Sequence, residues 1–239
     1  WRTSGKGPQR GMLPPVKQLE SMIGALGIGN DDTVVVVATG RDAGDLAAAA
    51  RVFWTFRALG HEQVAILDGG LVAYAEATGD RKLLASGTES RDARKFTAKP
   101  ESGIVADAGS TRALLKGSGE LVDARSPGEY MGIYSGGEGE RPGTIPGAKN
   151  LPYDWLTDNG SARLRDLESL KILYASLGVD TSGEQVHFCH TGNRAALTWF
   201  VSYALFGNHK ASLYDASMLE WARRTDLPVE PKIKLCTEC

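Results

Sequence analysis

Cys189-His190-Thr191-Gly192-Asn193-Arg194 sets a thiol and a guanidinium in one short loop between an apolar run and a segment that reads as a helix. The first turn of a helix has unpaired N–H groups and carries about half a positive charge. A loop curled around Cys189 there can aim backbone N–H groups at the sulfur, and Gly192 supplies the backbone freedom this needs. Such a setting lowers a cysteine pKa from about 8.5 to between about 3.5 and 7.5, which makes the thiolate a nucleophile. Arg194 adds a positive charge to this cradle. The plainer reading, a buried strand-end cysteine acting as a small hydrophobe, does not account for the glycine, the arginine and the helix together. His190 reads either as a general base or as a cradle residue facing solvent. Asp123 and Asp215 read as carboxylates that orient neighbouring groups. Arg125 has two open readings, contact with a bound ligand or pairing with a nearby acid.

The elements that must position this loop show an internal repeat. Val34–Ala38 is a short β-branched run, as a buried strand requires. It leads through Thr39-Gly40-Arg41-Asp42 into a helix predicted over Ala47–Leu59, stopped by Gly60, and then a strand over Val64–Leu67 ending at Asp68-Gly69-Gly70. The plan recurs as a strand over Val186–Phe188, the cysteine loop, a helix over Ala195–Phe206 closed by Gly207, and a strand over Ala211–Tyr214 ending at Asp215. Aligned from their closing glycines, Phe53, Phe56 and Leu59 correspond to Phe200, Tyr203 and Phe206, an apolar stripe at helical spacing that reads as core. Ahead of the second copy come a strand over Ile104–Ala106, a helix from Ser110 and a strand over Leu121–Ala124. A capping box follows at Ser126-Pro127-Gly128-Glu129, then a Gly- and Pro-rich loop over Ser135–Gly147 and a helix over Leu167–Leu177. The fold class is therefore α/β, with buried parallel strands.

Composition bounds the partners. The chain has 239 residues, and its 27 Lys plus Arg against 29 Asp plus Glu lack the basic excess of a nucleic-acid binder. No apolar stretch approaches the roughly 18 residues of a membrane span. Three cysteines are too few for a disulfide framework and leave the compartment open, cytoplasmic or periplasmic.

In combination these segments resemble the rhodanese sulfurtransferases. The residues that carry the likeness are Cys189–Arg194, Val122-Asp123-Ala124-Arg125 with Glu129-Tyr130, Gly143-Thr144-Ile145-Pro146-Gly147-Ala148, and Tyr214-Asp215-Ala216-Ser217 with Glu220-Trp221. The first copy is similar to the non-catalytic half of tandem rhodaneses through Met12-Leu13-Pro14, Gly27-Ile28, Arg51-Val52-Phe53-Trp54 and Asp68-Gly69-Gly70. The resemblance implies two rhodanese-like domains, each a small, mostly parallel sheet flanked by helices. An inactive, N-terminally incomplete one is expected over 1–77, a linker over 78–103, a catalytic one over 104–230 and a tail over 231–239. It implies a thiosulfate sulfurtransferase working through a persulfide on Cys189, with no cofactor or metal. Arg125 and the His190–Arg194 loop would bind a small anionic donor, and cyanide or a thiol would be the acceptor. Ala38 stands at the cysteine's place in the first copy, so that copy should be inactive. The loop matches neither the thiosulfate nor the mercaptopyruvate subtype of tandem enzymes, and Glu129 stands where a second substrate-binding arginine is expected. Thiosulfate is favoured, with a mercaptopyruvate sulfurtransferase or a non-enzymatic persulfide carrier or binding module as alternatives. Phosphatase loops of related folds have one more residue between cysteine and arginine, so the shorter loop here suits sulfur. Cys236-Thr237-Glu238-Cys239 has the spacing of a redox pair or half a zinc site, or is incidental. The second copy has segments before its strand that the first lacks, so Trp1 is expected to lie inside the first domain.

Overall fold

The computed structural model describes residues 1–4, 10–79, 87 and 89–235, so Cys236 and Cys239 lie outside the described residues. The chain forms helix α1 (Val16–Ala25), strand β1 (Val34–Val36), α2 (Ala43–Ala58), β2 (Val64–Ile66) and α3 (Gly70–Thr78). There follow β3 (Val105–Ala106), α4 (Ala108–Leu114), β4 (Glu120–Asp123), α5 (Pro127–Met131), β5 (Lys149–Asn150), α6 (Leu167–Ser176), β6 (Gln185–Phe188), α7 (Arg194–Phe200), β7 (Ala211–Tyr214) and α8 (Ser217–Trp221). β1 and β2 pair in parallel, and the other five strands make a parallel sheet of order β3-β7-β6-β4-β5. β4 and β6 are neighbours, yet the chain leaves β4 toward β5 and leaves β6 toward β7 on the other side. The crevice at their carboxyl ends is the switch point where open α/β sheets take their ligands.

Local signals explain most element ends. Asp42 caps α2 through the Asp45 N–H, which starts the helix at Ala43, a turn before the expected Ala47. Ser126 and Glu129 form the expected capping box with Pro127 in the first turn. The helix expected over Ala195–Phe206 begins one residue earlier and changes character at Val201–Leu205, a π-helical turn. There the Phe206 N–H reaches back to the Val201 carbonyl, and Tyr203 stacks on Trp199 with 4.6 Å between ring centres. α3 was not expected, because its N-cap Gly69 and its first residue Gly70 both take left-handed φ and read as a turn.

The halves share one core. α2 lies against α7, and Leu46, Ala50, Phe53 and Trp54 join Ala196, Trp199 and Phe200 in a single buried cluster. Phe53 meets Phe200, the residue matched to it in the repeat, edge to face at 4.9 Å. The Trp54 indole donates to the Ile104 carbonyl at 3.1 Å. The chain between the halves also packs. Its Arg94, Lys99 and Glu101 N–H groups bond carbonyls of Gly24, Leu59 and Ala58, and Phe96 is buried beside Phe56.

Candidate active site

Cys189 follows directly on β6, at the switch point, and is buried with 1% of its surface exposed. Its backbone is held from the β7–α8 turn. The Cys189 N–H donates to Ser217 Oγ at 3.1 Å, and the Cys189 and His190 carbonyls accept from the Met218 and Leu219 N–H groups. Ser217 is fully buried, sits at φ +52° and gives its own hydroxyl proton to the Tyr214 carbonyl at 2.7 Å. A non-glycine residue there is strained, and the two hydrogen bonds hold it in place. Ser217→Ala should cost about 1–3 kcal/mol, because it strands a buried N–H and a buried carbonyl. Urea unfolding checks the stability, and the rate of Cys189 alkylation checks whether the loop has loosened.

The two arginines expected to meet a donor are each held by a carboxylate. Arg125 is buried, with Nε at 3.0 Å and Nη2 at 2.6 Å from the Asp123 carboxylate and a further bond from Nη2 to the Gly143 carbonyl. Asp123 also accepts from the Thr144 hydroxyl at 2.7 Å and from the Arg125 N–H, as an orienting carboxylate would. Burial works against the Arg125 charge, but Asp123 outweighs it and the pKa ends above the ordinary arginine value. Of the two readings of Arg125, pairing with a nearby acid is what the geometry contains. Arg194 forks onto Glu129 through Nη1 at 2.6 Å and Nη2 at 2.8 Å. Burial again opposes its charge, and the Glu129 bonds and the Cys189 sulfur raise its pKa regardless. Glu129, standing where an arginine was expected, thus neutralises the loop's own arginine.

The same pair predicts a pH dependence. Burial alone would raise the Glu129 carboxyl, but the Arg194 fork and the Ser126 hydroxyl hold it at about 2 against 4.5. A depressed carboxylate stabilises the fold above its unfolded pKa and loses that contribution as pH falls through its folded value. The window here runs from about pH 5 to pH 2, and the contribution is about 2 kcal/mol once solvent screening is allowed for. Wild-type unfolding free energy should fall across that window, and Glu129→Gln should flatten part of the fall in urea melts at stepped pH.

His190 is partly exposed and its Nε2 lies 3.0 Å from Glu140, which also pairs with Arg223 at 3.1 Å. That anchors the ring on the outer side of the loop. Gly192 takes φ +71°, and a Cβ there would come within 2.7 Å of Arg51 Nη1 and of Asp215, so only glycine fits. The chain through Asn193 turns directly into α7.

The sequence did not single out what the first half contributes. Arg51, on α2 and 1% exposed, pairs with Asp215 at 2.5 Å and donates to the Gly192 carbonyl at 3.2 Å. Its guanidinium lies 4.5 Å from the centre of the Trp54 ring. Asp215 also accepts from the Leu13 N–H at 2.6 Å. Arg2 donates to the Thr191 carbonyl at 2.6 Å and to the Gly11 carbonyl at 2.8 Å. Arg51 entered the sequence reading only within the Arg51-Val52-Phe53-Trp54 segment that carries the family likeness, with no role at the site. Arg2 carried no signal.

Known proteins resemble this chain over most of its length. The family model of the rhodanese-like domain matches residues 107–224, which hold the whole five-stranded site apart from β3. A curated relative from Mycobacterium bovis, "Putative thiosulfate sulfurtransferase 1", is 30% identical over 236 residues, covering 96% of this chain and 82% of the relative. The chain belongs to the rhodanese family. A second rhodanese relative, from Mycolicibacterium smegmatis and named in the same way, is 32% identical over 237 residues with the same coverage. Among solved structures, an EanB variant in complex with ergothioneine superposes with TM-score 0.79 at 22% identity, over 93% of this chain but only 56% of that one. The chain therefore spans just over half of that protein. SseA from Escherichia coli, a 3-mercaptopyruvate sulfotransferase, matches with TM-score 0.73 at 24% identity over 86% of this chain and 74% of its own. These structures share the rhodanese fold, α/β with a parallel sheet flanked by helices. Among the described residues no helix is long and apolar enough to cross a membrane.

Proposed function

We propose that this rhodanese carries a sulfane sulfur as a persulfide on Cys189, taken from an anionic donor, thiosulfate first, and passed to cyanide or a thiol. The Cys189 thiolate attacks the outer sulfur of thiosulfate. A new S–S bond forms, the donor's S–S bond breaks, and sulfite leaves with the electron pair. Cyanide or a thiolate then attacks the outer persulfide sulfur, and Cys189 returns as thiolate. The observation that carries this reading is the place of Cys189 at the sheet's switch point, at the head of a loop held by Arg2 at Thr191, by Arg51 at Gly192 and by the Arg194–Glu129 fork. The His190–Arg194 loop would surround the transferred sulfur, and Asp123 and Asp215 would hold the arginines beside it.

The tandem organisation belongs to the same reading. Residues 1–77 are an inactive rhodanese-like unit, 78–103 join it to a catalytic unit over 104–230, and 231–239 form a tail. Its support is the shared strand–loop–helix–strand plan, Ala38 at the cysteine's place, and the packing of Phe53 on its counterpart Phe200.

Intact mass after incubation with thiosulfate tests the reading. A gain of one sulfur atom on Cys189, discharged by cyanide as thiocyanate, supports it. Loading from mercaptopyruvate alone replaces the donor. Loading that neither cyanide nor thiols discharge makes the protein a carrier, and no loading from either donor sinks the proposal.

A further inference from the structure

Sulfur transfer from a dianion needs cations that are free to meet it, and the loop's obvious ones are not. Arg125 and Arg194 each face a carboxylate, and so does Arg223, through Glu140. A cleft of about 450 Å³ opens instead on the outer side of the cysteine loop. Arg2, Arg10, His190, Thr191 and Gly136 line it, and among the described lining residues there is no carboxylate. Two of these, His190 and Thr191, follow Cys189 directly. Arg2 and Arg10 take part in no ion pair among the described residues, whereas the buried Arg51 behind them has Asp215. Arg2 therefore stands within electrostatic reach of two other guanidiniums, Arg10 and Arg51, and of one carboxylate, Asp215.

The crowding registers on Arg2. Burial pulls its pKa below the ordinary arginine value and the Arg51 charge pulls it further. Cys189 and Asp215 act in the opposite direction, and Arg10 lowers it again. An anion in the cleft would relieve that repulsion, and burial would strengthen each contact. The sequence is uniform here as well. Residues 1–19 hold Arg2, Lys6, Arg10 and Lys17 and no Asp or Glu.

The geometry points to this cleft as the docking site for the donor's oxyanion, with Arg2 and Arg10 of the first half, not Arg125 and Arg194, contacting the sulfonate of thiosulfate. The inference rests on the sulfur-transfer reading for the identity of the donor. It assigns the first half a direct part in substrate binding. Arg10 is the contact to remove first, because it is exposed and makes no hydrogen bond to the loop, whereas Arg2 also props the Thr191 carbonyl.

Calorimetric titration of thiosulfate into the full chain carrying Cys189→Ser measures binding without turnover. Adding Arg10→Gln should raise Kd about tenfold, as loss of one charge-assisted contact does. Arg10→Lys should keep most of the affinity, and added salt should weaken binding. In the active protein, Arg10→Gln should raise KM for thiosulfate by a similar factor with kcat within about twofold. Loading of Cys189 from an uncharged organic trisulfide should not change. An unaltered Kd, an equal loss with the trisulfide, or a larger effect from Arg194→Gln than from Arg10→Gln would overturn the inference. The two readings fail separately. Arg10-dependent binding with no sulfur ever gained by Cys189 defeats sulfur transfer and leaves the anion site, while sulfur gain with an unaltered Kd does the reverse.

Discussion

Replacing Cys189 with Ser is expected to abolish sulfur uptake at this site and to lower turnover by at least about 10⁴-fold, since no other thiol stands among the described residues to carry the sulfur covalently. Cys189 is the one cysteine among the described residues, and its neighbours Asp123, Arg125 and Asp215 are tied in buried ion pairs. A serine hydroxyl is not ionised at neutral pH, so even a well-shaped cradle has no nucleophile to stabilise. The fold should hardly notice. The side chain is nearly the same size, and the backbone keeps its bonds to Ser217, Met218 and Leu219. A cost of about 1 kcal/mol for placing a hydroxyl in this buried site is the expected limit. Intact mass and thiocyanate release measure the first effect, and urea unfolding the second. A serine variant that unfolds normally and still gains sulfur would locate the carrier elsewhere.

Arg51→Met is expected to destabilise the protein by about 3–5 kcal/mol, the range for breaking a buried ion pair from one side. Asp215 would remain buried with its charge and only the Leu13 N–H for a partner, and the Gly192 carbonyl would lose its donor. Of a typical stability of about 5–15 kcal/mol this is a large share. The effect should reach the site, because Arg51 acts on the cysteine loop through Gly192 and on the β7–α8 turn through Asp215. Arg51 is thus a positioning residue. Below the new melting temperature, kcat should fall more than KM rises, and Arg51→Lys should restore stability in part while leaving Gly192 less well held. Replacing both members, Arg51→Met with Asp215→Leu, should recover stability without activity, since no charge is then stranded. A double variant no more stable than Arg51→Met would mean that the lost packing on Trp54, not the ion pair, sets the cost.

Most of the elements, and Cys189 as the proposed nucleophile, are legible in the amino-acid order alone, because the signals for both are local. β-branched runs such as Val34–Val36, the Ser126 capping box and the stops at Gly60 and Gly178 act within a few residues of themselves. Cys189 was legible because its strand, its glycine and its helix lie within ten residues along the chain. Boundaries slipped where a neighbour intervened, as Asp42 did at α2 and the stacking of Tyr203 on Trp199 did in the helix after the cysteine loop. Only the tertiary structure decided which charges meet. With 27 basic and 29 acidic residues, spacing cannot say that Arg194 takes Glu129, that Arg51 takes Asp215, or that Arg2 reaches Thr191 from 189 residues away. An ion pair acts over a few ångströms in space and leaves no period in the chain. The arginines that looked placed for substrate are therefore neutralised within the fold. Those left to face the cleft, Arg2 and Arg10, come from the chain's first residues, far in sequence from Cys189.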